Sequence, residues 1–156
     1  MKHLKLVGGL LMMAAILVTG CDDESLLGGD GANNTITAKV NGGSWQNSSL
    51  SATRVNPPGA ISIVGVGNSE QIALQISPTG VGSYPLTGAQ QWASYTKLGT
   101  QYSTKQEGGS GSVTITKYDE TSRLISGTFS FVARDFSGTP VNITEGSFVN
   151  VKWSEQ

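Results

Sequence analysis

The histidine content limits the catalytic chemistry that this chain can perform. His3 is the only histidine among 156 residues, and it lies in a segment that we expect to be removed as a signal peptide. Serine and cysteine nucleophiles usually need a histidine as general base, and protein zinc sites rely on histidine and cysteine. We therefore predict no catalytic residue, no metal ligand and no non-covalent cofactor, and we do not expect an enzyme.

Two short motifs of catalytic type do not change this expectation. Ser94 and Lys97 match the Ser-x-x-Lys nucleophile motif of penicillin-recognising enzymes, but its Ser-Asp-Asn and Lys-Thr-Gly partners are absent. Asp119 and Glu120 are adjacent carboxylates on a predicted turn. Glycosidase chemistry needs two carboxyl groups that converge across a cleft, about 5–10 Å apart, and neighbours on a tight turn point apart. A solvated turn is the favoured interpretation.

Cys21 is the one residue whose type and position predict a defined reaction. Lys2 and Lys5 precede an apolar run over residues 6–18. A positively charged start followed by an apolar run of this length is typical of a signal peptide. The sequence Val-Thr-Gly-Cys over residues 18–21 resembles the lipobox of bacterial lipoproteins. We predict that residues 1–20 are removed and that Cys21 carries diacylglycerol and an N-acyl chain. An ordinary secretory signal or a short membrane anchor is the alternative.

The residues after Cys21 are acidic and then rich in glycine. Asp22, Asp23 and Glu24 resemble the export signal of surface lipoproteins of the Bacteroidetes type, which predicts an outer-membrane protein that faces outwards. The alternatives are a solvated linker with no sorting role, inner-membrane retention, or an anchor that faces the periplasm. We interpret residues 21–34 as a lipidated cysteine on a flexible tether, whose composition predicts a typical span of about 20 Å.

The domain that follows the tether is nearly neutral. Residues 35–156 contain eight Lys or Arg and seven Asp or Glu. Nucleic-acid binding needs a basic stripe or patch, so we expect no nucleic-acid partner.

Alternating apolar and polar residues predict an all-β domain over residues 35–156. We expect a single antiparallel β-sandwich or partly open barrel of about 8–10 short strands. Gly127, in the middle of a strand, predicts a bulge or a close neighbour above it. The predicted strands cover residues 35–47 (as a hairpin), 50–55, 61–66, 71–77, 91–96, 100–104, 113–118, 124–134, 141–144 and 148–153.

The aromatic residues fall into two groups. Those in strongly patterned strands are predicted to lie in the core: Trp45, Phe129, Phe131 and Phe148. Those in the loop-rich middle are candidate ligand-binding residues: Tyr84, Trp92, Tyr95 and Tyr102. Flat rings beside the amides of Gln90, Gln91 and Gln101 could stack on sugars, although the same rings could instead cap the core or cover a sheet edge.

Three segments carry a family resemblance. Residues 36–42 (Ile-Thr-Ala-Lys-Val-Asn-Gly, with Trp45 just beyond), 125–131 (Ile-Ser-Gly-Thr-Phe-Ser-Phe) and 143–148 (Ile-Thr-Glu-Gly-Ser-Phe) resemble an uncharacterised family of Bacteroidetes lipoproteins. The resemblance covers most of residues 35–151 together with the lipobox. It implies an all-β, lipid-anchored domain and assigns no binding residue.

These observations predict a lipid-anchored envelope protein whose domain binds an extracellular glycan or protein. The alternative is a structural or assembly subunit that pairs an exposed strand edge with a partner chain. An exposed aromatic strip would favour the first, and a long uncharged edge strand would favour the second.

Overall fold

The computed structural model describes residues 34–56 and 59–156, which form strands and turns and contain no helix. Twelve strands run in chain order: β1 Thr35–Val40, β2 Gly43–Gln46, β3 Ser49–Val55, β4 Ala60–Gly67, β5 Glu70–Ile76, β6 Gly82–Pro85, β7 Trp92–Lys97, β8 Thr100–Ser103, β9 Ser110–Asp119, β10 Leu124–Arg134, β11 Pro140–Lys152 and β12 Ser154–Glu155. The predicted all-β class is confirmed, and the described strands outnumber the 8–10 expected.

The strands form one mixed sheet that does not close into a barrel. Its order is β12-β3-β4-β5-β7-β8-β10-β11-β1-β2, and β9 pairs with both β10 and β6. All pairs are antiparallel except β12 with β3. This arrangement is consistent with the predicted sandwich or open barrel, although the parallel pair was not expected.

The sheet folds over so that β4 packs on β1 and β2. A side chain at Gly65 in β4 would collide with Ile36 of β1 and lie 3.1 Å from the Trp45 ring of β2. The indole nitrogen of Trp45 donates a hydrogen bond of 3.2 Å to the carbonyl oxygen of Gly67. This contact joins the first hairpin to the end of β4.

The core follows the period-two pattern of the strands. In β10, every second residue from Ile125 to Ala133 is buried and the residues between them are more exposed, because successive side chains point to opposite faces. The four aromatic residues predicted to be core are at most 4 % exposed: Trp45, Phe129, Phe131 and Phe148. That prediction is confirmed.

Gly127 has both features that its position predicted. The β10–β11 register shifts between Ile125 and Gly127. A Cβ at Gly127 would lie 2.7 Å from the Phe148 ring, so only glycine lets that ring pack directly on the strand.

Strand β11 differs from the sequence prediction. The predicted strands 141–144 and 148–153 are one continuous strand, β11. Register shifts opposite Phe129–Phe131 and Ile125–Gly127 interrupt its alternation, and Glu145 and Asn150 have positive φ angles of 50° and 46°. A bulge inserts one extra residue and breaks the period-two pattern, which made one strand look like two.

Candidate functional site

Tyr95 and Tyr102 face each other across the β7–β8 hairpin. They are direct register partners, and their ring centroids are 5.9 Å apart at an interplanar angle of 42°. Strands 91–96 and 100–104 were predicted, and the structure has them at Trp92–Lys97 and Thr100–Ser103. The hairpin therefore brings two of the four candidate aromatic residues together.

A charged pair lies beside these rings. Glu70 at the start of β5 is the register partner of Lys97 at the end of β7, and Lys97 Nζ lies 2.8 Å from Glu70 Oε1. The Glu70 side chain is 14 % exposed and that of Lys97 is 54 % exposed. A carboxylate and an ammonium group thus sit at the same end of the sheet as Tyr95 and Tyr102.

These four residues line one side of a cleft of about 430 Å³, which we call the tyrosine cleft. Its other walls come from the β1–β2 hairpin and from the residues that open β11. They are Val40, Asn41, Gly43, Ser44, Trp45, Thr139, Pro140 and Val141. Small-molecule sites in proteins are commonly clefts of about 300–1,000 Å³ with a few polar groups, and the tyrosine cleft lies in this range.

The Tyr95 hydroxyl is an unusual feature of the tyrosine cleft. Tyr95 is 2 % exposed, and its hydroxyl oxygen makes no hydrogen bond of normal geometry in the described chain, although the Glu70 carboxylate lies close to it. Burial raises the pKa of Tyr95 well above its ordinary value, and the nearby Glu70 carboxylate raises it further. A buried polar group without a partner costs free energy and marks a place where a ligand or a water molecule can supply the missing bond.

The other two candidate aromatic residues lie elsewhere. Trp92 is register partner of Gln75 and lies under Lys105, whose Nζ is 4.6 Å from the indole centroid. Because Trp92 and Tyr95 are three positions apart on one strand, they point to opposite faces. Tyr84 is on β6, where its hydroxyl donates to Gly80 and accepts from the Thr79 amide. The four rings therefore do not form one exposed strip.

A second concavity, the arginine groove, has a volume of about 740 Å³ and is lined by Arg54, Ser77, Tyr118 and Glu120 among others. Arg54 Nη1 and the Tyr118 hydroxyl both donate to Glu120 Oε1, each at 3.1 Å. Burial raises the pKa of Tyr118, and its hydrogen bond to Glu120 raises it further. Arg54 Nε and Ser77 Oγ are buried there without a partner. No sequence pattern predicted this groove, because its residues meet only through the fold.

The C-terminal residues pack against Arg54 and Tyr118 beside the arginine groove. Glu155 accepts hydrogen bonds from Asn56 Nδ2 at 2.8 Å and from Trp153 Nε1 at 3.2 Å, and one of its oxygens is 3.9 Å from Arg54 Nη1. The Trp153 ring stacks on Tyr118 with centroids 5.5 Å apart. Since Arg54 already faces two carboxylates, its charge is balanced inside the protein.

The motifs of catalytic type do not form catalytic arrangements. Ser94 and Lys97 lie on strand β7 rather than on a helix, and three positions along a strand place their side chains on opposite faces. A hydrogen bond from the Ser122 amide lowers the pKa of Asp119, so Asp119 is ionised at neutral pH. Glu120 points to Arg54 instead.

Residues 34–56 and 59–156 contain neither a metal-binding cluster nor a membrane-spanning helix. This part of the chain contains no group of three His, Cys, Asp or Glu side chains that could hold a metal ion, and no helix in it is long and apolar enough to cross a membrane. The predicted lipid-attachment residue Cys21 and the predicted sorting residues Asp22, Asp23 and Glu24 lie outside the described residues.

Comparison with known proteins identifies one family for this chain. No curated protein and no solved structure matches the chain. The model of one family, described as domain of unknown function DUF6252, matches residues 32–152. The match spans most of the chain and nearly all of the β-domain, so the chain belongs to this DUF6252 family.

Proposed function

We propose that this protein is a lipid-anchored cell-envelope protein whose β-domain binds a glycan without catalysing a reaction. The observation that carries the binding role is the tyrosine cleft, with an unpartnered Tyr95 hydroxyl beside the Glu70–Lys97 ion pair. An extracellular protein is the alternative ligand.

The chemistry of the tyrosine cleft suits a sugar. A sugar hydroxyl both donates and accepts hydrogen bonds, and the cleft offers a carboxylate acceptor at Glu70, an ammonium donor at Lys97 and a hydroxyl at Tyr95. The half-buried Tyr102 ring adds an aromatic wall. The charges of Glu70 and Lys97 offset each other, which favours a neutral ligand over a strongly charged one.

The sequence supports the anchor and the location. The lipobox at residues 18–21 would place three acyl chains on Cys21, and each buried methylene contributes about 0.8 kcal/mol to membrane binding. Asp22, Asp23 and Glu24 would direct the protein to the outer membrane and the cell surface. The family resemblance to Bacteroidetes lipoproteins points to the same location.

The strand-edge alternative has less support. The strands at the ends of the described sheet are β2 and β6 with four residues each and β12 with two, and β12 pairs only with Thr53 and Arg54 of the seven-residue strand β3. Strand addition by a partner needs an exposed and reasonably long edge, whereas short edge strands are a common way to prevent such pairing. We therefore favour ligand binding over assembly.

The test is a titration of the purified full chain in detergent with a panel of neutral oligosaccharides, followed by calorimetry. Glu70→Gln removes the carboxylate that faces Lys97 and Tyr95, and we expect it to weaken binding by about tenfold, the usual effect of one charged hydrogen bond. Glu145→Gln is the matched control. It breaks another Lys–Glu pair of 2.8 Å, with Lys39, outside the tyrosine cleft, and should bind like the parent.

Two outcomes would contradict the proposal. If the parent binds none of the oligosaccharides, the ligand is not a glycan of this kind. Capture of a surface protein by the parent but not by Glu70→Gln would then show that the ligand is a protein. Equal weakening in Glu70→Gln and Glu145→Gln would show that the tyrosine cleft is not the site.

A further inference from the structure

Two large apolar side chains stand almost fully in solvent on turns that border the tyrosine cleft. Phe136 is 87 % exposed and Leu98 is 83 % exposed, the highest values among the large apolar residues of the described chain. Leu98 directly follows Lys97, and Phe136 precedes Thr139 by three residues. Lys97 and Thr139 both line the tyrosine cleft. We call Leu98 and Phe136 the apolar rim.

Turn chemistry does not explain the presence of Leu98. It is the first residue of the two-residue turn between β7 and β8, with a φ of 49°, and Gly99 follows with a φ of 82°. Hairpin turns of type I′ have positive φ at both positions and strongly prefer Asn-Gly, Asp-Gly or Gly-Gly. Leucine is strained in this region, because it has no short polar group that can bond locally as Asn and Asp do.

Two further turns of this kind follow the usual preference. The β1–β2 turn has Asn41 and Gly42, and the β4–β5 turn has Asn68 and Ser69, all with positive φ. Every other non-glycine residue with positive φ in the described chain is polar. Leu98 is thus unfavourable both in its backbone conformation and in its exposure, which indicates that a contact outside the turn requires an apolar side chain there.

The turn that carries Phe136 is preorganised. Asp135 Oδ1 accepts hydrogen bonds from the Ser137 amide at 2.9 Å, the Ser137 hydroxyl at 2.7 Å and the Thr139 amide at 2.8 Å. The Gly138 amide also donates to the Asp135 carbonyl oxygen at 3.1 Å. A segment that is already ordered costs little conformational entropy when it binds a ligand. The turn therefore presents a phenyl ring in a fixed place, although the domain hardly covers it.

The apolar rim borders a polar centre, and this order selects the class of ligand. Inside the tyrosine cleft, Glu70 and Lys97 form an ion pair, and the Tyr95 hydroxyl makes no hydrogen bond of normal geometry. Protein partners usually place their apolar anchors at the centre and polar residues around them. A sugar matches the observed order, because its hydroxyls can enter the polar centre while its apolar C–H faces lie on the side chains outside.

The path of the chain favours an external ligand over the membrane that would hold the anchor. Strand β1 runs from Thr35, where the residues of the proposed tether join the domain, to Val40, which lines the tyrosine cleft. At about 3.3 Å per residue, its six residues span about 20 Å. The apolar rim thus lies at the end of the domain opposite the point where the proposed tether joins it.

We infer that Leu98 and Phe136 are sugar-contacting residues and that the ligand is an oligosaccharide long enough to reach from the tyrosine cleft onto the apolar rim. This inference rests on the proposed function, since it concerns the same ligand. It adds that part of the affinity comes from apolar contacts outside the tyrosine cleft. A single sugar unit, which occupies the cleft alone, should not depend on them.

The experiment is calorimetry of the full chain in detergent with glucose and N-acetylglucosamine and with the neutral oligomers of cellulose, starch and chitin. Leu98→Asn restores the preferred Asn-Gly turn. We expect it to raise the thermal midpoint by about 4 °C and to weaken oligomer binding about tenfold. Phe136→Ala should weaken oligomer binding by a similar factor with an unchanged midpoint, because the ring has almost no packing to lose. Val81→Asn is the matched control and should bind like the parent, since Val81 is 68 % exposed and lies outside the tyrosine cleft.

The outcomes separate this inference from the proposed function. A more stable Leu98→Asn that binds oligomers more weakly supports it, because a residue that only shapes the turn would change stability alone. If Leu98→Asn and Phe136→Ala bind oligomers like the parent while Glu70→Gln does not, the inference is overturned and the proposed function stands. If the parent binds no sugar, both fail.

Two other contacts of the apolar rim would also overturn the inference. Capture of a surface protein by the parent but not by Leu98→Asn would assign the rim to a protein. Hydrogen-exchange protection of the turns at residues 97–100 and 135–139 in phosphatidylcholine vesicles without sugar would assign it to lipid.

Discussion

Gly67 and Gly127 illustrate how single atoms fix the packing of this domain. Neither residue has a positive φ, so glycine is needed at each for space rather than for backbone conformation. A Cβ at Gly67 would overlap the carbonyl oxygen of Gln46, and a backbone atom cannot move aside as the end of a side chain can. Gly127 was recognisable from its position in a strand, whereas Gly67 ends a strand and looked like an ordinary turn residue.

Gly67→Ala should therefore destabilise the domain. Overpacking typically costs about 1–3 kcal/mol, and the hydrogen bond from Trp45 to Gly67 would be strained as well. Urea denaturation of the variant should give a lower midpoint. Gly88→Ala is the control, because its nearest atom is 3.8 Å away and its φ is not positive. If both variants unfold at the same urea concentration, the packing argument for Gly67 is wrong.

The Tyr95 hydroxyl should make stability depend on alkaline pH. Burial and then Glu70 raise the pKa of Tyr95 in the folded state, so the folded protein keeps the proton after the unfolded chain has begun to lose it. The resulting stabilisation is complete below the ordinary tyrosine pKa of about 10 and is lost as pH rises above it.

Tyr95→Phe should reduce this loss. Thermal unfolding from about pH 8 to about pH 11 should show a smaller decline than in the parent, with a residual decline because burial and Glu120 also raise the pKa of Tyr118. At neutral pH the variant should be at least as stable, since the hydroxyl makes no hydrogen bond of normal geometry. A clear drop in the neutral-pH midpoint would mean that the hydroxyl has a partner in solution.

At the level of strands, the predictions succeeded where alternation was regular. Residues 125–134 alternate between buried and more exposed positions, and residues 124–134 form β10 as expected. The strand over residues 140–152 was divided in two because bulges interrupt its period. Strand β6 was missed because four residues beside glycines and prolines carry too little pattern, and β12 because two residues cannot carry any.

The same reasoning explains how much of the site could be predicted. Tyr95 and Tyr102 were candidates from composition, and they pair because the predicted strands 91–96 and 100–104 form a hairpin in the structure. Glu70 was not a candidate. It meets Lys97 because β5 and β7 are neighbours and β6 leaves to join β9, a topology that local sequence does not contain.

Strand β12 provides a prediction at this level. It is held to β3 by Ser154–Thr53 and Glu155–Arg54 pairing, and Glu155 also accepts from Asn56 and Trp153. Glu155→Ala should lower the free energy of unfolding by about 1 kcal/mol. It should also reduce the hydrogen-exchange protection of the Gln156 amide, which donates to Arg54 at 2.9 Å. Glu107→Ala, at an exposed position, is the control, and equal protection of Gln156 in both variants would contradict the role of Glu155.

For the whole molecule, the anchor is the first property to test. Cys21→Ser removes the only cysteine and with it the thiol that would take the diacylglycerol. Metabolic labelling with palmitate should be abolished, and the protein should move from the membrane to the soluble fraction. Labelling that persists in Cys21→Ser would refute the lipobox interpretation.

Variants of the acidic triplet Asp22, Asp23 and Glu24 test the proposed location at the cell surface. Protease treatment of intact cells should degrade the parent if it faces outwards. Replacement of Asp22, Asp23 and Glu24 by alanine should protect the protein while palmitate labelling continues, because only the sorting signal is changed. If the triple variant is degraded as fast as the parent, the triplet has no sorting role.

The position of β1 between β11 and β2 has a consequence for how the chain folds. Lys39 in β1 pairs with Glu145 in β11, 106 residues later, so the first strand of the domain completes its partnerships only after nearly the whole domain has emerged. Proteins dominated by such distant contacts fold slowly, in milliseconds to seconds. We expect that a chain leaving the ribosome or a secretion channel stays open until β11 follows. This delay would keep the chain competent for the export that we propose.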